Sequence, residues 1–300
     1  MRALPLRSPW PSARLREESQ TGRAIIDCVL ICTLGDLVLD VIVRLDGPLA
    51  PDDDALAQTR VSAGGQAANV AAWAAALGAR ARYIGKRGAD LMGRLVDEEL
   101  TRRGVDVVGP VAGRTGVVVS LVKVDGMRSM ASDRGSASEL MPDEFEPSWV
   151  EHCDWLHVSG YALTRGRLAD TALTAASVAR RIGARVSVDA SSWTVIRDLG
   201  SHLFRERVAE LRPTVIFATE KELHALGDQP WPGVTVVVKR GSRGCTILEA
   251  GAPEDLPAVP ATVIDSTGAG DAFAAGYLVG GPALALEAGA RCASQLGAMP

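Results

Sequence analysis

The chain reads as an α/β protein: a central, mostly parallel sheet flanked by helices on both faces, with a small β-sheet lid. Three observations predict this. Short continuous apolar runs, the mark of strands buried on both faces, recur along the sequence. Helical segments lie between several of them, and strand–helix alternation implies parallel pairing through crossovers. Two other stretches break the alternation and read as antiparallel strands outside the main sheet.

Residues 1–23 carry Arg2, Arg7, Arg14 and Arg16, with Pro9 and Pro11 and no periodic apolar face. They lack the apolar segment of a signal peptide and read as a disordered extension, or as a start assigned too early. Residues 24–300 remain as one domain. Within it, residues 28–34 form the first buried strand, ending at Gly35. Residues 41–45 and 60–63 form one antiparallel pair. Gly64-Gly65-Gln66-Ala67-Ala68-Asn69 then opens an alanine-rich helix over residues 70–77, which Gly78 ends as a left-handed cap. Residues 91–103 are helical. Residues 115–124 and 128–131 form the second antiparallel pair, with Asp125-Gly126 as its hairpin signal. Strands follow at 155–158, 185–188, 215–217 and 234–238, with helices at 168–182 and 221–226. The antiparallel pairs, near 41–63 and 115–131, are insertions within the domain that would form a lid over the strand ends. Ligands of such sheets gather at those ends.

Composition narrows the function. Hydrophobic content of 47% with 23% charged residues describes an ordinary globular protein. A net charge of −4 argues against a broad nucleic-acid surface. No apolar stretch reaches the roughly 20 residues of a membrane span; residues 25–43 come nearest, broken by Asp27, Asp36 and Asp40. The five cysteines are scattered without a C-x-x-C pair and fit a reduced, cytoplasmic protein. The four histidines show no metal-ligand spacing. There is no G-x-G-x-x-G dinucleotide turn and no G-x-x-x-x-G-K-[ST] loop.

The chemistry concentrates near the C-terminus. Asp265-Ser266-Thr267-Gly268-Ala269-Gly270-Asp271 runs into an apolar helix. The first amides of a helix have no partners inside it and bind anions, phosphate above all. A carboxylate beside a phosphate repels it, unless Asp271 faces an attacking hydroxyl as a base in phosphoryl transfer. Asp271 reads equally well as an ordinary helix cap. The second glycine turn, Gly64 to Asn69, could face the same cleft from the other side.

With both turns in hand, the sequence resembles the ribokinase-like (PfkB) carbohydrate kinase family. Residues 64–69 and the run to Gly93 match its N-terminal signature, and residues 265–276 match its C-terminal one. Lys239-Arg240-Gly241-Ser242-Arg243-Gly244 is similar to its nucleotide-side strand and turn. The likeness runs in order from about Ile25 to Pro300. It implies a kinase moving the γ-phosphate of ATP, with Mg2+, to a hydroxymethyl group of a small sugar or nucleoside, under a β-sheet lid.

Carried over residue by residue, the resemblance makes Asp271 the base, kept ionised by the helix amides. The amides of Gly268, Ala269 and Gly270 would receive the charge on the phosphoryl group. Asp40, Gly64, Gly65, Gln66 and Asn69 would hold the acceptor; a turn residue and a helix cap are the plainer readings of Asp40 and Asn69. Lys239, Gly241, Ser242 and Gly244 would lie along the nucleotide. Thr219 and Glu222 occupy an Asn-x-x-Glu motif that organises magnesium and phosphate, although Glu222 also reads as a first-turn helix acid. Asp265 and Thr267 match positions near a potassium site in some relatives.

Departures are as telling. Thr219 replaces the usual Asn, Gln66 stands where ribokinases have Lys, and Gly160 where they have Glu, so ribose is not assumed. The chain ends soon after Gly297, which would reduce part of the adenine pocket. A non-catalytic sugar- or nucleotide-binding regulator is the competing reading. Exposed lid edges predict a homodimer.

Overall fold

A computed structural model describes residues 28–49, 52–123, 128–227, 229–249 and 251–300. The expected extension at 1–23 and the Asp125-Gly126 hairpin lie outside the described residues. The chain runs β1 (Leu30–Leu34), β2 (Val38–Leu45), β3 (Ala57–Gly64), α1 (Gln66–Ala76), β4 (Arg80–Ile84), α2 (Leu91–Arg102) and β5 (Val105–Val108). It continues with β6 (Thr115–Val122), β7 (Arg128–Gly135), β8 (Trp155–Ser159), α3 (Gly166–Arg181), β9 (Arg185–Asp189), α4 (Trp193–Leu199) and α5 (Ser201–Leu211). It closes with β10 (Val215–Thr219), α6 (Glu220–Leu226), β11 (Thr235–Lys239), β12 (Cys245–Leu248), β13 (Glu254–Leu256), α7 (Ala269–Gly280) and α8 (Pro282–Ala293).

The main sheet has nine strands in the order β13-β12-β11-β10-β9-β8-β1-β4-β5. From β11 to β5 every pairing is parallel, while β12 and β13 add antiparallel at one edge. Period-two burial explains why these strands read as solid apolar runs. In β10, Val215 and Phe217 pack into a core shared with α1, α2, α7 and α8. Ile216 and Ala218 point the other way, into a core shared with α3, α4, α5 and α6. Both faces are dry, so polar alternation has no place in the strand.

A second sheet, ordered β3-β2-β6-β7, joins two antiparallel hairpin pairs through the parallel β2–β6 contact. It begins three residues earlier than the sequence suggests, so Asp40 lies inside β2 rather than ahead of it. Alternation sets Val38 and Asp40 on the face that meets the main sheet's strand ends, with Val118 and Ser132 beside them. Polar residues end four of the parallel strands there: Ser159 on β8, Asp189 on β9, Thr219 on β10 and Lys239 on β11.

Candidate active site

Two helices aim their first turns at one cleft. Helix α1 starts after Gly65, at φ 103°, where an added Cβ would lie 2.4 Å from the Asp36 carbonyl oxygen. Helix α7 starts after Gly268, at φ 76°, where a Cβ would lie 2.6 Å from the Cα of Ala298. Only glycine fits either place without strain. Neither helix has a side-chain cap, which leaves leading amides free for a ligand, although the Ala269 amide of α7 already donates to the Ser266 carbonyl at 3.3 Å.

Asp271, in the first turn of α7, is not a cap: its Oδ2 accepts a hydrogen bond from Asn69 Nδ2 at 2.8 Å. Asn69 is not a cap either, since it lies one turn inside α1. The cleft between them has a volume near 760 Å³ and is lined by Asp36, Asp40, Gln66, Asn69, Arg134, Tyr161 and Asp271, among others.

The electrostatics differ from the expectation that helix amides keep Asp271 ionised. Burial pushes its carboxyl up to about 7; the Asn69 hydrogen bond and Lys239 oppose the rise, while Asp189 and Asp36 add to it. Desolvation of the charged form is the largest of these influences. Asp40 is likewise pushed up to about 7, by burial and by Asp36, with Arg134 opposing. Its carboxylate fits only because Gly64 is bare, as a Cβ there would lie 2.0 Å from Asp40 Oδ2.

Arg134, on β7, pairs with buried Asp36 and stacks 3.7 Å over the Tyr161 ring. The small sheet is thereby tied to the main one at the cleft. Asp36 Oδ1 and Asn69 Oδ1 are buried without a partner among the described residues. Orphaned acceptors in a polar cleft are costly unless a ligand supplies donors, and hydroxyl groups do so. Gln66 Oε1 accepts from Ser159 Oγ at 2.6 Å and Ser191 Oγ at 2.5 Å.

Comparison with known proteins fits this geometry. The family model described as pfkB family carbohydrate kinase matches residues 29–299. The chain belongs to the pfkB family of carbohydrate kinases. It is 32% identical over 261 residues to the ATP-dependent ribose-1-phosphate kinase of Halopiger xanaduensis, covering 83% of this chain and 84% of that protein. It is 30% identical to a fructokinase of Escherichia coli, covering 83% of each. Its fold matches the crystal structure of adenosine kinase from Sinorhizobium meliloti, with a TM-score of 0.79 at 24% identity over 91% of this chain and 96% of that one.

Of the sequence-predicted residues, the pfkB cleft brings together Asp40, Gly65, Gln66, Asn69, Thr267, Gly268 and Asp271. Gly64, Ala269 and Gly270 adjoin it. Lys239 does not reach outward along the nucleotide turn. Its Nζ bonds Asp189 Oδ2 at 2.5 Å and would lie 3.3 Å from a Cβ on Gly270, directly behind the open amides. Burial is the largest single influence and works against the ammonium, but the charges of Asp189, Glu222 and Asp271 and the Asp189 hydrogen bond together outweigh it and hold Lys239 above its ordinary value.

Thr219 and Glu222 close a capping box on α6: Thr219 N donates to Glu222 Oε2 at 2.7 Å and Glu222 N to Thr219 Oγ1 at 3.3 Å. Among the described residues, no three acidic, histidine or cysteine side chains cluster as a metal cage. Gly241 and Gly244 shape their turn at φ 58° and 85°, with Ser242 between them, outside the cleft lining. Asp265 ties its own turn to the Gly297 backbone. Its Oδ1 accepts from Thr267 N and Oγ1, and its Oδ2 from Gly297 N at 3.1 Å.

Sequence reasoning missed Asp189, Ser159, Ser191 and Tyr161, and saw in Asp36 a break in an apolar stretch rather than a site residue. A signal existed for one: Asp189 is a lone carboxylate ending the buried run of β9.

Proposed function

We propose that this pfkB kinase transfers the γ-phosphate of ATP to a hydroxymethyl group of a small sugar or nucleoside, with Asp271 as base. The observation that carries the reading is the 2.8 Å bond between Asn69 and Asp271, which sets an acceptor-side amide against a carboxylate at an open helix start. In this reading Asp40, Asn69 and Gln66 hold the acceptor against bare Gly64 and Gly65. Its hydroxyl proton passes to Asp271 as the oxygen attacks the γ-phosphorus in line and ADP leaves. The amides of Gly268, Ala269 and Gly270, backed by Lys239, receive the negative charge that develops on the phosphoryl group.

The nucleotide would lie toward the Gly241–Gly244 turn, with Ser242 at its phosphates. Magnesium, when bound, neutralises the phosphate oxygens. With no cluster of acidic, histidine or cysteine side chains to cage it among the described residues, phosphates and water would be its main ligands, and Glu222, held in its cap by Thr219, would act on it through water. Potassium, if used, belongs at the Asp265–Thr267 turn, and replacing it with sodium tests that. The small sheet serves as the lid in this reading. Its edge strands β3 and β7, with Val61 52% exposed, suit a homodimer that size-exclusion chromatography would detect. No helix among the described residues is long and apolar enough to cross a membrane, and the five cysteines are free; we place the enzyme in the cytoplasm, away from nucleic acid.

The test is coupled ADP release across ribose, ribose 1-phosphate, fructose, a keto-deoxy sugar acid and nucleosides. Turnover of one of them supports the reading. Binding without turnover would replace it with the regulator. A nucleoside acceptor has one observation in its favour: Trp193, 43% exposed on the cleft lining, offers a face for a base to stack on.

A further inference from the structure

The turn that follows β9 touches both halves of the cleft. Asp189, 1% exposed, splits its two carboxylate oxygens. Oδ1 accepts from the backbone N–H of Ser191 at 2.9 Å, and Oδ2 accepts from Lys239 Nζ at 2.5 Å. Ser191 is a non-glycine residue at φ 68°, a conformation side chains avoid unless the surroundings impose it. What imposes it is visible. Asp189 holds the Ser191 amide, Ser192 N donates to the Ala190 carbonyl at 2.8 Å, and the Ser191 hydroxyl reaches Gln66 Oε1 at 2.5 Å. Gly160 makes room beneath, since a Cβ there would lie 2.5 Å from the Asp189 carbonyl oxygen and 2.8 Å from Ser191 Oγ. On the other side, the Lys239 ammonium lies against Gly270, next to Asp271.

We propose that Asp189 is a positioning residue for both substrates at once: through Ser191 it fixes the Gln66 amide that meets the acceptor, and through Lys239 it fixes the cation behind the phosphoryl site. A single buried carboxylate then sets the relative placement of the two reacting groups, the quantity to which in-line transfer is most sensitive. The strained Ser191 is what lets one short turn serve both directions. This rests on the kinase reading above for the names of the two substrates, while the link itself is a property of the free protein.

Two variants test it. Ser191→Gly removes the hydroxyl and the strain together, so the fold is kept or gains stability. The acceptor KM should rise about tenfold or more, with the ATP KM unchanged. Ser191→Asn, which tolerates the left-handed conformation and keeps a polar side chain, should recover part of that loss. Asp189→Asn keeps an oxygen for the Ser191 amide but leaves Lys239 without its counter-charge, so kcat should fall while the acceptor KM moves little. The second readout needs no turnover. The groups acting on the Asp271 carboxyl are Asp36, Asp189, Lys239 and Asn69, with Tyr161 and Cys292 also within its field. Loss of the Asp189 charge removes its own upward push on Asp271 and leaves Lys239 uncompensated, so carbon NMR of the free protein should show Asp271 titrating at lower pH in Asp189→Asn. An unmoved Asp271 midpoint overturns the link whether or not any acceptor is phosphorylated. An unchanged acceptor KM in Ser191→Gly overturns the Gln66 arm. Absence of ADP release in the wild type, with the Asp271 midpoint moved as expected, overturns only the kinase reading.

Discussion

Asn69 Nδ2 donates to Asp271 Oδ2 at 2.8 Å across 202 positions of sequence, so the two glycine-led helix starts are stapled to each other. The bond orients the carboxylate without neutralising it, because an amide donor adds no charge. It also opposes the burial that lifts the carboxyl, and so keeps more of the basic form available near neutrality.

Asp271→Asn should lower kcat by about 10²–10⁴, the usual contribution of a positioned general base. Nucleotide affinity, measured by calorimetry, should stay within a few-fold because the helix amides remain. Turnover near that of the wild type would remove Asp271 from the chemistry.

The acid limb of the pH–rate profile should fall near pH 7. Asp271 must be deprotonated to accept a proton, and its carboxyl sits at about 7. Asp40, also at about 7, titrates in the same range. The limb of kcat/KM for the acceptor should therefore be steeper than that of kcat, where bound acceptor has already fixed Asp40.

The same shift predicts a cost in stability. A carboxyl raised from 3.8 to about 7 on folding contributes stability below its unfolded value and loses it as pH rises through 7. Asp271→Asn should melt higher than the wild type at pH 8, and the gap should close toward pH 4. Thermal melts across that range read it directly. A constant gap would mean that packing, not ionisation, separates the two proteins.

Asp40→Ala and Asn69→Ala should weaken the acceptor and spare ATP. Only Asn69→Ala should also move the acid limb upward, because it deletes the bond that opposes protonation of Asp271. Loss of ATP binding with an unchanged acceptor KM would invert this map of the cleft.

The small sheet should answer to the acceptor rather than to the nucleotide. Correct acceptor should slow hydrogen exchange in β2, β3, β6 and β7, whereas ATP alone should protect residues 241–244 and 268–271. Equal protection of the four strands with and without acceptor would mean a rigid sheet, held by the Asp36–Arg134 pair or by a second subunit.

Much of this was legible in the sequence. The two glycine turns announce themselves because a positive φ and a close backbone approach leave no other residue type. The solid apolar strands announce a sheet dry on both faces. Less legible were contacts set by distant pairing. Lys239 reads as part of a basic nucleotide turn, yet its partner Asp189 lies 50 positions away and turns it inward. Thr219 and Glu222 carry a motif's spacing, but that spacing also closes a capping box, and only the backbone geometry reveals the box. The strands β4, β5, β12 and β13 and the helices α4, α5 and α8 passed unnoticed, being short or weakly patterned.

Ala298 lies against Gly268, and so bears on how the first turn of α7 sits. Its carbonyl takes the Trp73 indole N–H at 2.8 Å, and its backbone fills the space a side chain on Gly268 would need. A larger residue at 298 would press on the turn from behind. Variants there would imitate active-site lesions, and a catalogue of mutations scored by distance from the substrate would file them as harmless tail changes.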